Sequence, residues 1–401
     1  MTLIEFYDSE PIKNVMAAMA LRPDHVVYIC DRKMISDRRR EAVKLLLKRR
    51  GLDTTVNFYN VNASSPEAIR EILERARRLF EGCVVDFTGG RELMLLEAGI
   101  FCKENHLPGF YIDLQNSRFI NVFGCEELGR QFQWPSFYVE DMLCASGASM
   151  DGYGHYLPDF AEPDMARDID AVFDLILRHG SSWAGMVSFL QQAVKLANER
   201  GEHQLEVDCP RALEVHSRLT VTCNPRLMAL LYDTGVVIEL PAKPGRIRFR
   251  FKNEAMKKCL PNHGIWLELF AYQTAKRLHY FDDVRNSVVI DWDGSYVDFC
   301  DAKNEVDLLL IRGVKPVFVS CKMGVPTPLA LIEIRLLSER FGGTLAKTVL
   351  LTATDVVHSN PSIYKRAKEL GVAVIDQNDL KNRKLGEQLL AVAENTFCYR
   401  L

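Results

Sequence analysis

Residues Asn304 to Lys322 read NEVDLLLIRGVKPVFVSCK. Two runs of apolar and β-branched residues flank Arg312-Gly313, the pattern of a β-hairpin. Strand alternation puts Glu305, Asp307 and Leu309 on one face and Val306, Leu308 and Leu310 on the other, while Phe318, Ser320 and Lys322 share a face of the second run. Pairing across Gly313 then brings a carboxylate and a lysine together at one end of a sheet. Those residue types suit metal-assisted phosphodiester hydrolysis. Oxygen ligands hold Mg2+ or Mn2+, the cation polarises a phosphate and activates water, and an ammonium balances the developing charge.

Two more carboxylates are drawn toward the same place. Glu268 is the lone acid in the apolar run Ile265 to Tyr272, where burial without a cationic partner is costly. Glu333 follows Lys322 on a helical pattern and shares a face with Leu329, Leu336 and Leu337, so it is expected to turn inward toward the sheet. Asp291, Asp293, Asp298 and Asp301 flank turn residues and read as a solvated edge.

Outward from this hairpin, the chain from residue 264 onward runs helix, strand (SVVIDW), strand (YVDFCD), strand, strand, helix, strand, helix, strand. This order predicts a mixed sheet framed by helices. Residues 1 to 121 alternate short β-rich runs with helical patterns, which predicts a parallel sheet covered on both faces. In such sheets ligands bind beyond the carboxyl ends of the strands. The loops there hold Tyr7-Asp8-Ser9-Glu10, Asp31-Arg32-Lys33 and Thr88-Gly89-Gly90-Arg91.

Between these halves, CASGASMDGYGHY (residues 144 to 156) reads as a linker. Residues 163 to 200 carry two amphipathic helical patterns, and 224 to 251 reads as a helix followed by a hairpin, a helical connector with a β-wing. The expected α/β divisions are 1–150, 151–255 and 256–401.

The chain has 401 residues, 48% hydrophobic and 26% charged, long enough for two or three cores. Its formal charge of -3 advertises no nucleic-acid partner, so any such binding must come from local patches. The start MTLIEFYDSEP lacks the features of a signal peptide, and no long apolar run suggests a membrane span, so a cytoplasmic location is expected. The 11 cysteines are scattered singly and read as small core residues.

The order of residues 264 to 352 resembles the αβββαβ core of the PD-(D/E)xK nuclease superfamily, a restriction-endonuclease-like fold. The resemblance implies catalytic roles for Glu268, Asp307 and Lys322, with Mn2+ or Mg2+ held by Asp307, Glu268 and Glu333. Ser320 stands where the superfamily carries its second carboxylate, two residues before the lysine. Glu305 or Glu333 could supply that carboxylate, or Ser320 could bind through a water. The run Asp86-Phe87-Thr88-Gly89-Gly90-Arg91-Glu92-Leu93-Met94 resembles the signature loop of CARF domains, Rossmann-like sensors of CRISPR systems. Paired glycines let backbone amides approach a phosphate at a helix N-terminus, where Arg91 could pair with it.

Together the two halves resemble the ancillary nucleases of type III CRISPR defence. That resemblance implies a homodimer binding one cyclic oligoadenylate, with cyclic tetra-adenylate the expected ring, and cleavage of DNA, RNA or both. The ligand pocket would be lined by Asp8, Ser9, Glu10, Thr88, Gly89, Gly90 and Arg91. Two other functions stay open: a ligand-responsive transcription regulator using a winged helix, and a ring nuclease that degrades its own cyclic ligand. Arg211 to His216 fits the R-x4-H spacing of HEPN ribonucleases, but PRALEVHSRLTV lacks a clean helical pattern. The basic residues Arg38 to Arg40 and Lys48 to Arg50 bracket an amphipathic helix and read as a solvated face rather than a nucleic-acid patch.

Overall fold

The computed structural model describes residues 1–31, 36–152, 163–199, 201, 205–215, 219–294 and 303–400. Arg32 and Lys33, the expected strand YVDFCD with Asp298 and Asp301, and His216 lie outside the described residues.

The first sheet contains β1 (Thr2–Phe6), β2 (His25–Asp31), β3 (Thr55–Val61), β4 (Cys83–Asp86), β5 (Gly109–Asp113) and β6 (Arg118–Phe123). Their order is β3-β2-β1-β4-β5-β6. The first five strands run parallel, and β6 closes the edge antiparallel to β5. Leu3, Ile4, Val26, Val27, Tyr28 and Ile29 are fully buried, the near-continuous apolar reading of a strand covered on both faces. The chain order reverses between β1 and β4, so the loops leaving these two strands lie at the switch point. Those loops carry Asp8 to Glu10 and Thr88 to Arg91.

The second sheet has the order β17-β16-β15-β14-β13-β7. It contains β7 (Ser149–Gly152), β13 (Asp283–Asp291), β14 (Lys303–Arg312), β15 (Lys315–Lys322), β16 (Lys347–Thr352) and β17 (Val372–Ile375). From β7 to β15 neighbours are antiparallel, and from β15 to β17 they are parallel. The helix Ile265–Arg277 shares an apolar cluster with Leu308, Leu310, Val317 and Val319. The helix Pro328–Gly342 shares another with Leu309, Ile311 and Phe318. That second cluster continues through Met142, Leu143 and Phe137 to Tyr28 and Val26 of the first sheet. A shared core thus joins the two sheets.

Between them lie the long helix Pro163–Glu199, kinked at His179, and the strands β8 (Glu206–Pro210), β9 (Ala212–Val215), β10 (Leu219–Thr222), β11 (Val237–Leu240) and β12 (Arg246–Phe251). β12 alternates as its RIRFRF pattern requires: Ile247, Phe249 and Phe251 are buried, and Arg248 and Arg250 are exposed. Among the described residues no helix is long and apolar enough to cross a membrane. Nine of the ten described cysteines are buried and none is disulfide-bonded.

Candidate functional site

β14 and β15 pair as the hairpin expected from their sequence, with Leu308 opposite Val319 and Arg312 opposite Lys315. One residue before Leu308, Asp307 lies at the level of Ser320 to Lys322. Its Oδ2 accepts the Cys321 backbone N–H at 2.6 Å, the Ser320 hydroxyl at 3.3 Å and the Lys322 ammonium at 3.3 Å. A carboxylate held by one backbone donor and one ammonium is fixed in direction, and such charge-assisted bonds are the stronger ones.

Glu268 reaches the same place from the first turn of the Ile265–Arg277 helix. Burial pushes its carboxyl up to about 8. The charges of Asp307 and Glu305 add to this, while the Lys322 ammonium and the Ser287 hydroxyl pull it back. Glu268, Asp307, Glu305 and Lys322 therefore form one electrostatic unit. Ser320 is buried and Glu305 is exposed.

Ser287 carries no sequence signal. It sits on β13 between the pairs Asn286–Leu308 and Val288–Val306, opposite Asp307, with φ of 47°. A left-handed serine is uncommon and marks a local distortion of the strand. The strict alternation expected along β14 also stops here. Leu308 and Leu310 share one cluster, but Val306 packs in the cluster of Val288, Ile290 and Leu309.

Glu333 does not turn inward. It does share a face with Leu329 and Leu336, but that face points to solvent: Leu329 is 69% and Leu336 53% exposed. Ala330, Leu331, Ile334, Leu337 and Phe341 fill the core side instead. The helix is apolar on both faces, so spacing groups its residues correctly without saying which group faces the sheet. Glu333 accepts a hydrogen bond from Asn304 Nδ2 at 3.2 Å. Among the described residues no three His, Cys, Asp or Glu side chains assemble as a metal site, so the trio Asp307, Glu268 and Glu333 does not form one.

In the first sheet, the two switch-point loops are locked together. Asp8 accepts the Gly90 N–H at 3.0 Å, the Glu10 N–H at 2.9 Å and the Lys13 ammonium at 3.3 Å. A Cβ on Gly90, at φ of 107°, would stand 2.4 Å from the Phe6 Cβ, and one on Gly89 would stand 2.9 Å from the Phe6 carbonyl oxygen. The Thr-Gly-Gly run is thus required by packing against β1 as much as by any ligand.

Thr88 is buried, donating its hydroxyl to Asp86 and accepting the Ile112 N–H at 2.9 Å. Arg91 is exposed on one side and pairs with Asp31 at 2.9 Å. Ser9 is exposed. The Glu10 carboxylate, besides pairing with Lys13 at 3.2 Å, crosses to the second sheet's layer, where it accepts the Thr344 N–H at 2.8 Å and its hydroxyl.

No family model and no curated protein matches the sequence. Two solved structures are similar to the chain over nearly its whole length. Protein VC1899 from Vibrio cholerae aligns over 97% of this chain and 96% of its own, with a TM-score of 0.71 and 18% identity. Can2 from Sulfobacillus thermosulfidooxidans, in complex with cyclic tetra-adenylate, aligns over 98% of this chain and 99% of its own, with a TM-score of 0.69 and 17% identity. At these identities the likeness is one of fold alone.

Proposed function

We propose that the chain is a cyclic-oligoadenylate-activated endonuclease of type III CRISPR defence, with an N-terminal CARF sensor and a C-terminal PD-(D/E)xK nuclease. The observation that carries this reading is Asp307, fixed by Cys321 N–H, Ser320 and Lys322 beside the half-buried Glu268. The whole-length likeness of fold to Can2, solved with cyclic tetra-adenylate, supports the same ligand class here.

Mn2+ or Mg2+ fits this donor set. Mg2+ usually rests on one or two carboxylates and completes its shell with waters and substrate phosphates, and Asp307 with Glu268 offers two. A cation between them would also offset the burial, and relieve the repulsion from Asp307, that together raise the Glu268 carboxyl. When bound, it would polarise the scissile phosphate and lower the pKa of an attacking water. Asp307 orients the site, Lys322 balances charge on the phosphate, and Ser320 offers a hydroxyl where the superfamily has an acid. Glu305, exposed beside them, is the nearest further carboxylate.

The switch-point loops with Asp8, Ser9, Glu10 and Thr88 to Arg91 form the sensor pocket in this reading. A symmetric ring calls for two copies of those loops and hence for a homodimer. Exposed Leu96, Ile100 and the cross-strand pair Tyr111–Ile120 on the sensor support a second copy as its neighbour.

The test is incubation with single-stranded DNA, supercoiled DNA and RNA, with and without cyclic tetra-adenylate, in Mn2+, Mg2+ or EDTA. Activator- and metal-dependent cleavage is expected. Sequence-specific duplex binding without cleavage would replace this reading with the transcription regulator. Activator breakdown that persists in Lys322→Ala would replace it with the ring nuclease.

A further inference from the structure

Arg38 reads in the sequence as part of a solvated basic face, but it occupies a junction. Its Nε donates to the Gly147 carbonyl at 2.8 Å, its Nη1 to Asp293 Oδ1 at 2.8 Å, and its Nη2 to the Trp292 carbonyl. One planar guanidinium thereby ties the first turn of the Asp37–Arg49 helix to the segment before β7 and to the end of β13. Only arginine carries enough donors in a rigid fork to meet two carbonyls and a carboxylate together.

The contacts continue toward the cleavage site. Trp292 Nε1 donates to Asn304 Oδ1 at 2.8 Å, and Asn304 directly precedes Glu305 on the strand that carries Asp307. The Trp292 ring stands edge-on to Phe341 at 5.3 Å, on the helix that follows Lys322. At the other end, the Asp37–Arg49 helix that carries Arg38 packs on the first sheet, where its Val43, Leu46 and Leu47 share an apolar cluster with Val26 and Tyr28 of β2.

We propose that Arg38 is a positioning residue for nucleic-acid cleavage, linking the sensor's Asp37–Arg49 helix to the register of β14 through Trp292 and Asn304. The proposal rests on the sensor-nuclease reading above. Coupling between sites needs a physical element that both sites bias, and this run of contacts ties a helix of the sensor to the strand that holds Asp307. Arg38 acts through Trp292 and Asn304, and the partners of its guanidinium are protein groups.

The experiment uses the full chain and the variants Arg38→Ala, Arg38→Lys and Trp292→Phe. Phenylalanine keeps a ring against Phe341 and removes the bond to Asn304. Cyclic tetra-adenylate affinity, stimulated kcat and KM for the nucleic acid, and thermal midpoint are measured for each. Trp292→Phe and Arg38→Lys are expected to lower stimulated kcat by about tenfold, with activator affinity and KM within about twofold of the parent and an unchanged midpoint. Unaltered stimulation in Trp292→Phe would overturn the proposal. So would a fall in activator affinity and midpoint parallel to the fall in kcat, because that pattern belongs to general destabilisation. A parent chain that never responds to the activator would remove the underlying reading and this proposal with it.

Discussion

Asp86 gives the stability of the first sheet a defined pH dependence. It is fully buried at the end of β4, where its Oδ1 accepts the Thr88 N–H at 2.8 Å and the Thr88 hydroxyl. Burial pushes its carboxyl from 3.8 up to about 7 against the opposing pull of those two bonds. Glu5, its register partner on β1, is also raised, by burial first and by the Asp86 charge second. A raised carboxyl means that the folded state keeps a proton the unfolded chain has released. The contribution of Asp86 to stability is therefore highest below its unfolded value near 4, falls as pH rises toward 7 and is level above it.

The linkage relation gives a loss from Asp86 of about 2 kcal/mol at pH 5 and about 4 kcal/mol at pH 8, a change of roughly 2–3 kcal/mol between the two. Asp86→Asn keeps the Oδ1 acceptor for Thr88 and abolishes the titration, at a cost of about 1–3 kcal/mol for the added NH2. The measurement is urea unfolding of parent and variant at pH 5, 6, 7 and 8. The free-energy difference is expected to move in favour of the asparagine variant by about 2–3 kcal/mol from pH 5 to pH 8. A flat difference, or one that moves toward the parent, would refute the assignment of Asp86 as a buried carboxyl with a raised value.

Three other perturbations have clear expected outcomes. Asp307→Ala and Lys322→Ala are expected to reduce cleavage by at least about a hundredfold while calorimetric binding of cyclic tetra-adenylate is retained; cleavage that survives both changes would sink the nuclease site. Glu333→Ala, on the exposed helix face, is expected to leave kcat within about twofold of the parent, whereas a collapse comparable to that of Asp307→Ala would return Glu333 to the metal shell. Gly90→Ala drives a Cβ into Phe6 and forces alanine to φ of 107°, so strain and overpacking together should cost about 2–4 kcal/mol in denaturant titrations; a variant as stable as the parent would show that the loop relaxes freely.

Much of the site was legible because its signals are local. A lone acid in an apolar helix pattern marked Glu268, and the same reasoning applied to Glu5 in the run Leu3 to Phe6 would have flagged that buried carboxyl too. Asp307, Ser320 and Lys322 followed from hairpin pairing, which register transmits faithfully over a few residues. Lys13 could not be found in this way, since its pairing with Asp8 and Glu10 depends on how the first loop folds back. Ser287 escaped for a similar reason, as nothing in SVVID announces a residue with φ of 47° opposite Asp307.

The sequence by itself determined the alternation of strands and helices in residues 1 to 121, the β14–β15 hairpin with the helix after it, and the alternation within β12 and β15. Those follow from backbone preference and nearest-neighbour burial. The stretch that reads as a linker, by contrast, holds β7 of the second sheet, and β8 to β10 were not foreseen. Tertiary structure decided the orientation of Glu333, because a helix apolar on both sides has no intrinsic inside. It also decided that Glu10 spends its carboxylate on Thr344, 334 residues away, and that Arg38 grips Trp292 and Asp293 across 254 and 255 residues. A periodic pattern states how a segment's faces relate to one another. Which face meets which partner is set only when segments far apart in the chain compete for the same core.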